Sequence, residues 1–398
     1  MTDGRADILF RPLTLPCGAV LRNRLVKSAM SDSLGDGRGD PGPNQARLYE
    51  RWAQGGVAAS IIGEVQGDPH VAEKPGNLVL HDASDTARFA ALTRAGRMDG
   101  AHLWAQLGHA GAMTHAETGV PKGPSALDLP GLRCAALTDA EIAALPSTFA
   151  QTAKRAIALG FSGVQVHAAH GFLLSQFLSP LFNRRTDEYG GTLTNRMRLL
   201  QQVIAAVRTS VGPDVPVALK LNATDQLDGG FAEDEALEVI AALSDAKLDL
   251  IDISGGTYFP GAASASDRSA GGAYFLDFAR RAGQVTEVPL MLTGGFKTRA
   301  QVLDVLADGI VDVIGLARAL VLDPDLPGRW KTTDGGDPVF PRFRDPPEGG
   351  VTAWYTMRLT DLAAGRAERA PNALGTAIAE YDARDWKRTR LWTARFPR

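Results

Sequence analysis

The chain has 398 residues, of which 44% are hydrophobic and 22% charged, and a formal net charge of −3. That balance is ordinary for a soluble globular protein and argues against a nucleic-acid partner, which needs a dense basic stripe. Its two cysteines, Cys17 and Cys134, provide neither a disulfide framework nor a cysteine-rich metal site.

No run of about 18 apolar residues is present to span a bilayer, and the opening MTDGRADILFRPL lacks the apolar centre of a secretion signal. A cytoplasmic protein with no membrane partner is the resulting expectation.

In chain order, residues 9–24 predict two short strands around a Pro-Cys-Gly turn. Leu25-Val-Lys-Ser28 is the first apolar run, and a Gly/Asp-rich loop and a helix over 44–54 follow it. Apolar runs recur at Val57–Ile62, Ala101–Leu107, Gly163–Val166, Val217–Leu221, Leu250–Ile253, Leu290–Thr293 and Val311–Ile314.

Most of these runs are separated by amphipathic windows. In the window after Thr194, a plausible N-cap, Leu199, Leu200, Val203, Ile204 and Val207 share one helical face. Windows from Asp234 to Leu243 and from Thr298 to Leu306 behave alike. Eight strands alternating with helices predict an α/β fold closed into a (β/α)8 TIM barrel. An open doubly wound sheet competes, but no GxGxxG follows the first strand.

The expected division is an N-terminal hairpin cap over 1–24, a barrel over 25–330 and a C-terminal extension over 331–398. The longest connections, near 30–43 and 108–137, follow strands and so lie on the face where barrels place their chemistry. Trp354, Trp386 and Trp392 are half of the chain's six tryptophans, too many for a disordered tail. Its basic end, Arg384 to Arg398, reads either as a solvated face or as a segment packed on a neighbouring subunit or over the pocket.

The chemistry centres on His167 and His170, three residues apart where the fourth strand ends. Imidazoles there can converge on a pocket and donate a hydrogen bond to a carbonyl oxygen. A lone histidine is more often structural; the pair within HAAHGFLLSQFLSPLFNRRTDEYGGTLTNRMR is another matter. That long string resembles the signature of the old yellow enzyme family of NAD(P)H:flavin oxidoreductases.

The resemblance implies FMN, bound non-covalently, with NADH or NADPH as hydride donor. It also implies an electron-poor alkene whose carbonyl His167 and His170 bind. One position departs: the family usually has Tyr, the acid for the substrate's alpha carbon, where this chain has Phe172. Phe172 has no proton to give. Tyr258, in SGGTYFPG after strand 6, or water can supply it instead. Arg185, Asp187 and Tyr189 of RTDEYGG are expected to lock a loop.

For the cofactor, barrels commonly hold phosphate on the loops after strands 7 and 8. Gly294 and Gly295 follow strand 7, and Ala317-Arg318 follows strand 8. A GG pair alone is usually a turn; beside an arginine on the next loop it can hold phosphate through backbone N–H groups and a guanidinium. By resemblance, Ser28-Ala29-Met30-Ser31 lines the flavin ring, with Ser31 where Thr or Cys is usual. Gln106 meets its pyrimidine edge, Lys220 stands where many members have Arg, and Val65 touches the ring through its backbone.

The implied activity is ene-reduction of an α,β-unsaturated carbonyl, with no metal and with a homo-oligomer, dimer or tetramer, expected. Because of Phe172, another redox reaction on the same cofactor stays open: desaturation, isomerisation, or quinone or nitro reduction. A flavin-binding protein without turnover and a non-flavin phosphate-binding barrel using Lys220 as a Schiff-base lysine are the rivals.

Overall fold

A computed structural model describes residues 8–259, 273–332 and 335–398. Eight parallel strands close into a barrel: β1 (Leu25–Met30), β2 (Ala59–Gln66), β3 (His102–Leu107), β4 (Gly163–Ala168), β5 (Val217–Asn222), β6 (Leu250–Ser254), β7 (Leu290–Thr293) and β8 (Val313–Leu316). Neighbours in sequence are neighbours in the sheet, and β1 pairs with both β8 and β2 to complete the ring. Every predicted apolar run is one of these strands, displaced by no more than a few residues.

Most strands are buried along their whole length, as expected where helices cover a parallel sheet. Around them lie α1 (Pro43–Gln54), α2 (Thr86–Gly96), α3 (Asp139–Ala158), α4 (Arg198–Val211), α5 (Glu233–Ala242), α6 (Leu276–Ala282) and α7 (Arg299–Ala307). Leu199, Leu200, Val203, Ile204 and Val207 of α4 are all buried. The cap is elsewhere, however: Thr192, not Thr194, accepts the N–H of Asn195, and it starts a four-residue turn, Leu193–Arg196, ahead of α4. Thr298 caps α7 reciprocally with Gln301.

The predicted hairpin pairs Leu13–Thr14 with Val20–Leu21, and the Cys17 N–H donates to Asp249 Oδ1 at 2.7 Å. Leu15 and Leu21 pack with Val26, Ile61, Trp104, Ala218, Leu250, Met291 and Val313, side chains from the lower half of the barrel. The hairpin therefore plugs the end opposite the catalytic face. Inside the long loop 108–137, Leu132–Ala136 pairs with Leu127–Leu129 and Lys122–Gly123 in a small sheet. Arg185 pairs with Asp187 and Asp139, locking the following loop as expected.

Beyond the barrel come α8 (Gly350–Ala363) and α9 (Leu374–Arg395). One face of this basic end is docked on its own chain, while Lys387, Arg390, Arg395 and Arg398 remain exposed. Arg388 donates to the Ser33 carbonyl, Arg395 to that of Ala83 and Arg398 to that of Ala116. Trp392 is fully buried with Ala72 and Val79, and its Nε1 donates to the Pro69 carbonyl at 3.2 Å. These loops follow β1, β2 and β3, so the extension lies over the catalytic face. Trp392→Ala should cost about 3–5 kcal/mol, measured as a lower urea midpoint; an unchanged midpoint would mean that α9 does not hold to the barrel.

Candidate active site

Side chains alternate along a strand, so residues two apart share the barrel interior. Two positions above the apolar layer lie Ser28, Gln106, Gln165, Lys220, Asp252 and Thr293. They form one chain of contacts. Ser28 Oγ meets Thr293 Oγ1 at 2.9 Å, and Thr293 donates to Asp252 Oδ1 at 2.7 Å. Asp252 Oδ2 accepts from Lys220 Nζ at 2.6 Å and from Gln165 Nε2 at 3.1 Å. Gln165 Oε1 in turn accepts from Gln106 Nε2 at 2.7 Å.

Gly315 makes room for this layer, since a Cβ there would lie 2.1 Å from Thr293 Oγ1 and 2.3 Å from Ser28 Oγ. Lys220 and Asp252 are both within 1% of full burial. A buried ion pair is tolerated only when its remaining polar capacity is met, and here glutamine and threonine meet it.

Two β-bulges open the rim above. Ile62 and Val65 of β2 pair with Ala105 and Leu107, so two residues face one on β3. A second irregularity separates Lys27 and Met30 of β1. At the β2 bulge Glu64 takes a φ of +63°, rare for a non-glycine residue, and its carboxyl reaches the site. Gly63 permits the close approach: a Cβ there would sit 2.4 Å from the Met30 carbonyl. Val65 itself points away, into the layer between strands and helices, and its carbonyl accepts from Gly108 N at 3.0 Å. Met30 and Ser31 stand at the rim, partly buried.

His167 lies near the end of β4, buried, with Nε2 3.2 Å from Glu64 Oε1 and with Nδ1 lacking a partner among the described residues. His170 follows with a φ of +61°, held by its N–H on Asn222 Oδ1 at 3.0 Å and by its carbonyl accepting from Tyr258 N at 3.1 Å. Its Nε2 meets Ser254 Oγ at 2.8 Å. The two imidazoles lie 5.3 Å apart, centre to centre. Burial, then the Lys220 charge, lowers the His167 imidazolium pKa to about 3. Burial, then His167 and Lys220, takes His170 well below the usual range. Both rings are therefore neutral at pH 7, with the Nδ1 of His167 left for a ligand.

Phe172 lies over His167 at 4.7 Å, where a phenol would have been useful. Tyr258 does stand at this face, its ring 5.5 Å from that of His170 and 6.3 Å from that of Phe172. Gly294 and Gly295 have φ of +116° and +85°, conformations that favour glycine. They follow β7 beside Ala317 and Arg318, which follow the adjacent β8. The Arg318 guanidinium lies 5.4 Å over the Tyr355 ring of α8, so the extension also touches this corner.

These residues fit a flavin mononucleotide. Gln106 and Lys220 offer amide and cation to a pyrimidine edge, and Gly294, Gly295 and Arg318 offer N–H groups and charge to a phosphate. Sequence reasoning missed Gln165, Asp252, Ser254 and Glu64. The first two carried a signal: a lone polar residue inside each apolar run, as in Val-Gln-Val and Ile-Asp-Ile.

Fold and site together define a (β/α)8 barrel with a buried polar site at the carboxyl ends of its strands. Comparison agrees: residues 8–334 match the model of the NADH:flavin oxidoreductase / NADH oxidase family. The chain is 36% identical over 370 residues to the NADH-dependent flavin oxidoreductase iliE of Neonectria sp. (strain DH2), covering 83% of this chain and 48% of that one. It is 34% identical over 351 residues to iliE of Hypocrea jecorina (strain QM6a), covering 79% and 87%. Among solved structures, morphinone reductase superposes with a TM-score of 0.71 at 25% identity, over 81% of this chain and 89% of that one.

The chain belongs to the NADH:flavin oxidoreductase / NADH oxidase family, the old yellow enzyme family. It spans 48% of the length of the Neonectria relative. Asp252→Asn leaves the buried Lys220 ammonium without its counter-charge and should cost about 3–5 kcal/mol of stability. A denaturation midpoint equal to that of the parent would show that the pair is not the clamp of this layer.

Proposed function

We propose that this protein uses NADH or NADPH and FMN to reduce the carbon–carbon double bond of an α,β-unsaturated carbonyl compound. The paired, neutral imidazoles of His167 and His170, the Nδ1 of His167 without a partner among the described residues, carry this reading. When bound, the flavin supplies two-electron chemistry, accepting hydride from the nicotinamide and returning it to the substrate's beta carbon.

The protein's part is placement and polarisation. Donors aimed at an oxygen that gains negative charge during reaction stabilise that charge more than they stabilise the ground state, which is how they accelerate the step. Two neutral rings also avoid placing a cation beside Lys220. Ser254 and Asn222 fix the orientation of His170, and Glu64 fixes that of His167. Lys220 offsets negative charge on the cofactor's pyrimidine end, while Asp252 moderates that effect by sharing the ammonium.

A second reading is favoured by one observation, the hydrocarbon ring of Phe172 against His167. With no acid there, the same cofactor site suits a substrate that needs no proton on carbon, such as a quinone or nitro compound. Anaerobic bleaching by each nicotinamide, followed by reoxidation with 2-cyclohexenone, a quinone or a nitroarene, separates the two. His167→Ala should slow reoxidation by the enone about a hundredfold, while bleaching changes by no more than a few-fold. Equal enone rates in parent and variant would remove the anchoring role of His167.

A further inference from the structure

The site lacks a phenol at Phe172 yet holds a buried carboxyl in contact with a substrate-anchoring imidazole. We propose that Glu64 and His167 are its proton source, Glu64 passing a proton through the ring to the substrate's oxygen. This deepens the ene-reductase reading above and rests on it.

The geometry has three parts. Glu64 Oε1 stands 3.2 Å from His167 Nε2, and Glu64 Oε2 accepts from Gln66 Nε2 at 3.4 Å. Glu64 is 3% exposed and, among the described residues, His167 alone lies at ion-pair distance from it. A carboxyl taken out of water with no lysine or arginine beside it keeps its proton. Burial accordingly raises Glu64 to about 8.

The groups facing this pair come from several elements. Glu73, which follows β2 and is itself raised to about 7 by burial and by Glu64, opposes ionisation of Glu64. Lys74 beside it acts in the other direction. Lys220 of β5 and Asp252 of β6 act on His167 with opposite signs. His170 and Tyr258 face the pair from the loops after β4 and β6, and Asp385 of α9 acts on Glu73. From β3, Gly108 leaves the space that Glu64 fills, since a Cβ there would lie 2.5 Å from Oε2.

A neutral imidazole carries one proton, so the partner of one nitrogen decides what the other can do. When protonated Glu64 donates to Nε2, the ring's hydrogen is on Nδ1, which can donate to a carbonyl oxygen. When Glu64 is ionised, Nε2–H donates to it, and Nδ1 becomes an acceptor that repels that oxygen. The pair is thus a donor below the carboxyl's pKa and not above it.

The proton step balances. Once hydride has reached the beta carbon, the alkene's π electrons lie on the alpha carbon and oxygen as an enolate. Its oxygen takes the Nδ1 proton as Nε2 takes the proton of Glu64. The products are a neutral enol, a Glu64 carboxylate and His167 protonated on Nε2. The enol then gains a proton at the alpha carbon and loses its O–H proton in water, while Nδ1 takes a solvent proton as Nε2 returns its own to Glu64, which restores the starting pair. The sum is one hydride, from the reduced nicotinamide, and one solvent proton.

Glu64→Gln tests this, because its amide still donates to Nε2 but has no proton to release. Nitrogen NMR of the imidazoles, with and without FMN, should show His167 as the Nδ1–H form in the parent below pH 7. It should change to Nε2–H as the pH rises through about 8, whereas Glu64→Gln should stay Nδ1–H throughout. Reoxidation by 2-cyclohexenone should fall about a hundredfold in Glu64→Gln and lose its decline at alkaline pH, with bleaching by NADH within about twofold of the parent. A Glu64→Gln enzyme as fast as the parent, or a parent ring whose tautomer ignores pH, overturns the proton source alone. A parent that the enone fails to reoxidise overturns the ene-reductase reading with it.

Discussion

The contact between Lys220 and Asp252, 2.6 Å long and fully enclosed, organises this protein's interior. Placing two opposite charges inside a barrel is costly unless each finds further partners, and removing either would strand the other. The barrel meets that demand with a belt of polar side chains, Ser28, Thr293, Gln165 and Gln106, drawn from six different strands with the ion pair itself. Below the belt the interior is hydrocarbon and closed by the hairpin. Above it the strands bulge and the imidazoles begin. The belt is the floor on which a flat, polar-edged cofactor can rest.

Bulges convert that floor into a site. A regular β2 would alternate Ile62 and Glu64 on one face of the sheet and leave Glu64 in the helix-facing layer; the extra residue and the positive φ turn it inward. His170, after β4, is turned by a positive φ alone. Strain of this kind persists only where surroundings hold it, and Asn222 and the Tyr258 backbone do so for His170. The C-terminal helix adds a lid from outside the barrel proper, tying the loops after three strands to one another through Arg388, Trp392, Arg395 and Arg398.

Much of this was legible in the sequence, for a physical reason: fully buried parallel strands read as apolar runs, and eight of them at barrel spacing leave few alternatives. The histidine pair and the glycines after β7 were legible because their residue types are unusual for those places. Glu64 was not, since IIGEVQ gives no sign that the chain will kink at its glutamate. The docking of α9 was one of two readings the sequence left open, because a basic, tryptophan-bearing helix looks the same whether it covers solvent or its own barrel. Asp252 could have been found by asking what pairs with Lys220 inside an apolar strand. The neighbouring Leu-Ile-Asp-Ile run holds the answer.

The central claim is that the polar belt and the paired imidazoles enclose one flavin between them. A crystal structure of the protein grown with FMN tests it most directly. The account predicts the ring across the barrel mouth, its pyrimidine edge within hydrogen-bond reach of Gln106 and Lys220, its phosphate at Gly294, Gly295 and Arg318, and the Nδ1 atoms of His167 and His170 above its exposed face. A ring seated elsewhere, or Lys220 still bonded to Asp252 alone with no flavin atom near it, would contradict the account.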